Sequence, residues 1–150
     1  WTMAQVEALQ PVLAELEVEF LEQPLPAAED AALEGFRGLL PTCADQSCHV
    51  PADLGRLAAR YQMLNIKLDK TGGLTEALDL FAAARARGLG VMVGCMISTS
   101  LAIAAAFRVA VQADCADLDG PLWLAEDRPG GIHMGEHGLM YPPEPGFWGP

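Results

Sequence analysis

Apolar residues recur along this chain at two different periods, and the two alternate. Val6, Leu9, Leu13 and Leu16 stand at helical spacing and predict a helix over Thr2–Leu16, with Pro11 inside it as a kink or as its true start. Val18–Leu21 reads as a short strand, stopped by Pro24 and Pro26. The pattern then predicts a helix over Ala27–Phe36, a strand from Pro41 to Ala44, and a helix over Pro51–Tyr61 with its proline at the permitted first turn. Leu64–Leu68 is a predicted strand, and Thr75–Arg87 a helix ended by Gly88. An apolar strand over Leu89–Val93, an alanine-rich helix over Ser98–Val111 and a last strand over Ala116–Leu118 complete the series.

Strands alternating with helices of about ten to fourteen residues define βα units and a parallel sheet. The polar residues at the strand ends repeat as well. Asp45 follows Glu22 by twenty-three positions, Lys67 follows Asp45 by twenty-two, and Asp117 follows Cys95 by twenty-two; only Lys67 to Cys95, at twenty-eight, is longer. Polar groups at the carboxyl ends of successive strands are where parallel α/β folds carry their chemistry. A closed eight-stranded barrel typically takes about 250 residues, and this chain has 150. An open Rossmann-like sheet fits that length, but no GxGxxG follows the first strand. The expected fold is therefore α/β, the second half of a TIM-like barrel of about five strands over residues 1–125, followed by an irregular Gly- and Pro-rich extension over 126–150.

Composition narrows the function. The chain is 51% hydrophobic and 19% charged, which excludes a disordered protein. Its net charge of −11 repels phosphate backbones and argues against nucleic acid. No stretch reaches the roughly 18 uninterrupted apolar residues of a membrane span; the longest candidate, around Gly88–Val111, is broken by Gly90, Gly94, Ser98, Thr99, Ser100 and Arg108. The start shows no basic segment leading into an apolar run, so no signal peptide is predicted. Cys43, Cys48, Cys95 and Cys115 are scattered, which suits reduced thiols in a cytoplasmic protein.

Lysine usage is more telling. Only two lysines occur, Lys67 and Lys70, both in Asn65-Ile66-Lys67-Leu68-Asp69-Lys70, while seven arginines serve elsewhere. With Ile66 and Leu68 on one side of a strand, Lys67 faces the other. In a barrel that side is the interior, where a partly desolvated ammonium can serve as a base; the plain alternative is a surface lysine at a strand end. Glu22 and Asp45, single carboxylates at neighbouring strand ends, suit Mg²⁺, and each taken alone reads equally as a capping or solvated acid. Asp117 and Asp119 flank Leu118 and are predicted to face the same side of a strand about 7 Å apart, a pair that a metal or a ligand ammonium would relieve. The alternative is that Asp119-Gly120-Pro121 is simply a turn. Cys95 and Ile97 share the two-residue spacing and line a pocket or merely pack. Thr71-Gly72-Gly73, before a helix, offers backbone N–H groups to a carboxylate or is a plain loop. Two further patterns carry less. His133-Met-Gly-Glu136-His137 matches HxxEH, but Gly135 and its glycine neighbours oppose the helix that motif needs. Cys43, Cys48 and His49 lack a fourth zinc ligand at suitable spacing.

Taken together, Phe20-Leu-Glu-Gln-Pro-Leu-Pro26, Cys43-Ala-Asp-Gln-Ser-Cys-His49, the segment from Asn65 to Leu78, Val93-Gly-Cys-Met-Ile97 and Asp117-Leu-Asp-Gly-Pro121 resemble the enolase superfamily and, within it, the dipeptide epimerases of L-Ala-D/L-Glu type. The resemblance runs over almost the whole chain in the family's order. It implies the C-terminal half of a (β/α)7β barrel, with Glu22 and Asp45 as two of three Mg²⁺ ligands and Lys67 as one of two acid/base lysines. It also implies that Asp117 and Asp119 hold the α-ammonium of a small dipeptide substrate, with Cys95 and Ile97 lining that pocket. The implied reaction abstracts an α-proton beside a carboxylate, with Mg²⁺ stabilising the enediolate.

Two departures stand out. Gln46 follows Asp45 where the family usually has glutamate. The family's first metal aspartate, its Lys-x-Lys segment and its capping domain would precede Trp1, so the chain alone is expected to be a half-barrel with open edges, weakly stable and inactive. Competing expectations are a sister activity, such as cycloisomerisation or N-acylamino acid racemisation, and a non-catalytic relative. A homo-oligomer is left open.

Overall fold

In the computed structural model, which describes residues 1–149, five strands lie side by side in chain order and every neighbouring pair is parallel. They are β1 (Leu21–Glu22), β2 (Thr42–Ala44), β3 (Met63–Ile66), β4 (Gly90–Val93) and β5 (Cys115–Ala116). Helix α1 (Met3–Glu15) precedes them; α2 (Leu54–Leu57), α3 (Leu68–Thr71), α4 (Leu74–Arg85) and α5 (Ser100–Ala110) connect them. Thr2 caps α1, its hydroxyl accepting from Gln5 N while the Gln5 side chain returns to the Thr2 backbone, so the helix starts where the sequence placed it and accommodates Pro11.

The sheet has two distinct faces. Leu21, Ala44, Leu64, Ile66, Val91 and Val93 join Val6, Leu54, Leu57, Leu80, Ile103 and Val109 of the helical layer in one buried cluster. Cys43 and Met92, at alternate strand positions, are buried but stand off that cluster, on the opposite side. Helices on one face only, with strands in sequential order, are the arrangement of a barrel wall; a doubly wound sheet covers both faces. The fold is half of a TIM-like barrel.

Several predicted elements are shorter than their patterns. The expected helix over Ala27–Phe36 is a single 3-10 turn, Asp30–Leu33, of which only Asp30 and Leu33 are buried; Gly35, at φ +74°, ends it. The expected helix over Pro51–Tyr61 is a 3-10 turn, Pro51–Asp53, running into the one-turn α2. β1 begins at Leu21 rather than Val18, because Glu17 turns the chain at φ +58°. β3 stops at Ile66: Lys67 keeps an extended backbone, and Leu68 opens α3 instead of sharing a side with Ile66. β5 stops at Ala116, so Asp117 and Asp119 follow the strand rather than lying on it, and Asp119 has a helical backbone at the start of the 3-10 turn Gly120–Trp123.

Within the C-terminal extension lies a short hairpin. β6 (His133–Met134) and β7 (Met140–Tyr141) pair antiparallel, the His133 ring stacks on Tyr141 at 5.0 Å, and Ile132 and Met140 pack on the core. Asp127 caps α5, accepting from Ser100 N at 3.0 Å and from the Ser100 hydroxyl, which accepts in turn from Ile132 N at 2.8 Å. The HxxEH segment is not helical, since His133 is in a strand and His137 has φ +62°. Pro150, the last residue of the expected extension, lies outside the described residues. No helix among the described residues is long and apolar enough to cross a membrane.

Candidate active site at the strand ends

Asp45 is the centre of the polar cluster at the carboxyl ends of β1, β2 and β3. Lys67 Nζ donates to its Oδ2 at 3.0 Å and Lys70 Nζ to its Oδ1 at 2.7 Å, all three side chains being largely buried. Lys70 also donates to the carbonyls of Asp45, at 2.5 Å, and Asn65, at 3.1 Å. Gln46 Nε2 adds a donor to Asp45 Oδ2 at 2.7 Å. Burial acts to raise the Asp45 carboxyl, but Lys70 and then Lys67 outweigh it and hold the group below the usual carboxylate range.

Glu22 joins this cluster through Asn65. The Asn65 Nδ2 donates to Glu22 Oε1 at 2.6 Å, while its buried Oδ1 has no partner among the described residues. Gly94, at the end of β4, makes room for the arrangement: a Cβ there would stand 2.6 Å from Asn65 Oδ1 and 3.0 Å from Lys67 Cε. The Glu22 carboxylate is exposed and that of Asp45 is buried under its two lysines; both are hard oxygen donors of the kind Mg²⁺ takes. Among the described residues no three His, Cys, Asp or Glu side chains converge as a metal cage.

A second acidic group stands beyond β5. Asp117 has its carboxyl raised, first by burial and then by the charge of Asp119; Lys67 acts on it in the opposite sense. Trp123 Nε1 donates to Asp119 Oδ2 at 2.8 Å. The loop of Cys95 reaches this group because Gly120 lets it: a Cβ on Gly120 would lie 2.5 Å from Met96 O and 3.3 Å from Cys95 Sγ. Burial raises the Cys95 thiol, and Asp117 and Asp119 add to that. Ile97 stands 70% exposed at the tip of the same loop.

Of the sequence-predicted residues, the structure thus brings Glu22, Asp45 and Lys67 together, and separately Cys95, Asp117 and Asp119. Lys67 is the charged group felt by both sets. The N–H groups of Thr71, Gly72 and Gly73 are spent on the carbonyls of Lys67 and Leu68, so that segment presents no free donors. Cys43 and Cys48 are buried free thiols, Cys48 pushed up to about 11 by burial, and the His49 ring engages Gln46 O at 3.0 Å rather than a shared metal position. Sequence reasoning assigned nothing to Lys70, Asn65, Gln23, Gly94 or Trp123. The confinement of both lysines to one segment was the available signal for Lys70.

Half of a β/α barrel, with the Lys67 ammonium acting on both Asp45 and Asp117, is a barrel-wall protein with its charged groups gathered at one end of the sheet. The chain belongs to the family described as Enolase C-terminal domain-like, which it matches over residues 1–147. It is 57% identical over 127 residues to the L-Ala-D/L-Glu epimerase of Escherichia coli K12, covering 85% of this chain and 40% of that protein. It is 46% identical over 149 residues to an N-acetyl-D-glutamate racemase of a Pseudoalteromonas species, covering 99% and 47%. An enolase family member from Agrobacterium tumefaciens with homology to dipeptide epimerases, solved with sodium and L-Ala-L-Glu, superposes with a TM-score of 0.93 at 49% identity, over 99% of this chain and 45% of that one. A dipeptide epimerase from Methylococcus capsulatus, complexed with Mg and L-Arg-D-Lys, gives 0.83 at 35% identity, over 93% and 42%. The chain spans less than half the length of the curated relatives it matches.

Proposed function

We propose that the protein carrying this chain epimerises dipeptides of the L-Ala-D/L-Glu type, an isomerase reaction that begins with removal of the α-proton beside the substrate carboxylate. The observation that carries the reading is the position of Lys67, 3.0 Å from Asp45 and within the field of Asp117. A base there has a metal-type carboxylate on one side and an ammonium-type carboxylate pair on the other. Lys67 Nζ takes the proton from the α-carbon, and Asp117 and Asp119 bind the dipeptide's α-ammonium, with Cys95 and Ile97 beside it. Trp123 holds one Asp119 oxygen in place.

Glu22 and Asp45 are the residues that would hold Mg²⁺. When bound, the ion supplies positive charge against the negative charge that builds on the substrate carboxylate as the proton leaves. Lys70 keeps Asp45 ionised and fixed between β2 and β3. Return of a proton to the opposite face falls to a group outside this chain, as the resemblance implies.

The test is α-proton exchange followed by NMR in D₂O with Mg²⁺, on a dipeptide panel including L-Ala-L-Glu, with the full-length gene product. Exchange that disappears in Lys67→Ala is the expected result; no exchange on any dipeptide from a folded, metal-loaded protein overturns the reading. A second reading, racemisation of N-acylated amino acids, is favoured by the likeness to the N-acetyl-D-glutamate racemase. Such substrates lack the ammonium that gives Asp117 and Asp119 a partner, so N-acetyl-glutamate belongs in the same panel.

A further inference from the structure

Resting on the reading of Glu22 and Asp45 as the Mg²⁺-facing pair, we propose that Gln23 is a positioning residue that sets these two carboxylates relative to one another. The two acids come from different strands, and the ladder between β1 and β2 does not reach Asp45: its last rung is Gln23 N to Cys43 O at 2.8 Å. From there the Gln23 side chain continues the connection. Its Oε1 accepts from Asp45 N at 2.9 Å and from Ser47 N at 3.2 Å. Its Nε2, with two hydrogens to give, has three acceptors in reach: Leu25 O at 2.9 Å, Ser47 Oγ at 3.0 Å and Tyr61 Oη at 2.9 Å. Both ends of the amide are engaged, so its orientation is fixed.

The anchor behind it is buried. Tyr61 is 1% exposed, and its hydroxyl donates on to Asp30 Oδ2 at 3.3 Å. Asp30, also 1% exposed, is clamped by Arg60 at 2.6 Å and Arg56 at 3.2 Å. Gln23 itself has φ +36°, a conformation uncommon for a residue with a Cβ, which turns its side chain back beneath the strand ends toward Asp45. Glu22, directly before it, is the last residue of β1 and pairs with Cys43. Gln23 thus couples the Asp45 backbone to the Glu22 backbone while touching neither carboxylate.

The test is Mg²⁺ titration by calorimetry on the full-length gene product without substrate, with kcat and KM for L-Ala-L-Glu in parallel. Gln23→Leu is expected to weaken Mg²⁺ about tenfold, the lower end for residues that orient metal ligands, and to lower kcat while leaving the dipeptide KM unchanged. A folded Gln23→Leu protein with the parent's Mg²⁺ affinity overturns the proposal, and so does one that loses Mg²⁺ and dipeptide affinity together. If Gln23→Leu fails to fold, Tyr61→Phe removes one anchor only; measurably weaker Mg²⁺ binding supports the proposal and unchanged binding overturns it. Glu22→Gln separates the two claims. Loss of Mg²⁺ in that variant sustains the metal reading whatever Gln23 does, whereas a parent protein that binds no Mg²⁺ overturns the metal reading and this proposal with it.

Discussion

Lys70 meets Asp45 at two points, its ammonium lying 2.7 Å from Oδ1 and 2.5 Å from the Asp45 carbonyl oxygen. Lys67 meets the same carboxylate once, through Oδ2 at 3.0 Å. The two lysines therefore have different tasks. Lys70, bonded also to Asn65 O, joins the ends of β2 and β3, whereas among the described residues Lys67 has Asp45 as its one hydrogen-bond partner.

Lys70→Met should accordingly be the more damaging change for stability. Removing one partner of a buried ion pair costs about 3–5 kcal/mol, and the surviving Lys67 contact reduces that to about 2–3 kcal/mol. Urea unfolding of the parent and of Lys67→Met provides the comparison, with Lys67→Met losing less.

The same cluster sets an acid limit. The folded Asp45 carboxyl lies below its ordinary value, since the lysines outweigh burial. Its contribution to stability is present above the pH at which an unfolded aspartate ionises, about 3.9, and is lost as pH falls through the lower folded value. Unfolding free energy followed across the acid range in metal-free buffer should fall less steeply in Asp45→Asn than in the parent.

Lys67→Ala is expected to lower kcat/KM for α-proton exchange by about 10²–10⁴, the usual contribution of a general base. Circular dichroism and urea midpoint should stay near those of the parent, because Asp45 keeps its Lys70 contacts. NMR exchange rates in D₂O read the first effect and the unfolding curve the second.

Asp117 behaves in the opposite sense to Asp45. Burial first, and then Asp119, raise its carboxyl, so the folded state disfavours its charge at neutral pH and the penalty vanishes as pH falls below its ordinary value. Asp119→Asn should therefore increase thermal stability at neutral pH while raising the KM for dipeptides. The KM for an N-acetylated amino acid, which has no ammonium, should be unaffected. Differential scanning and steady-state kinetics on the two substrate types check both halves.

Gly120→Ala tests how the two loops meet. A Cβ at that position would come within 2.5 Å of Met96 O, and backbone cannot swing aside as a flexible side chain can. A loss of about 1–3 kcal/mol is expected, as for overpacking in general, together with a higher dipeptide KM as Cys95 is pushed from Asp117 and Asp119.

The alternation of strands and helices was legible because Leu64, Ile66, Val91 and Val93 alternate with residues of the other face and because α4 and α5 bury regular stripes. The failures have physical causes. Ala27–Phe36 looked helical from its alanines and leucine, but what holds that segment is Asp30, buried by Arg56 and Arg60 from another part of the chain. A long-range ion pair leaves no period in the sequence. The two-residue spacing of Asp117 and Asp119 predicts a strand, whereas Leu118 turns inward and Asp119 adopts a helical backbone as a new turn begins. At the site, the charged residues could be named from their spacing, since Glu22, Asp45 and Lys67 fall at matched strand ends. Asn65, Gln23 and Trp123 could not, because an amide or indole acquires its role only from the atoms it meets.

The sheet order, in which every strand lies beside the next strand of the chain, has a consequence for biosynthesis. Each βα unit emerging from the ribosome finds its neighbour already in place, and no strand waits for a distant partner. Docking proceeds by addition to the most recent edge, while the outer edge of β1 stays as it is. The Glu22, Asp45 and Lys67 side chains are then gathered in the order of translation, and the polar cluster takes shape as β3 arrives.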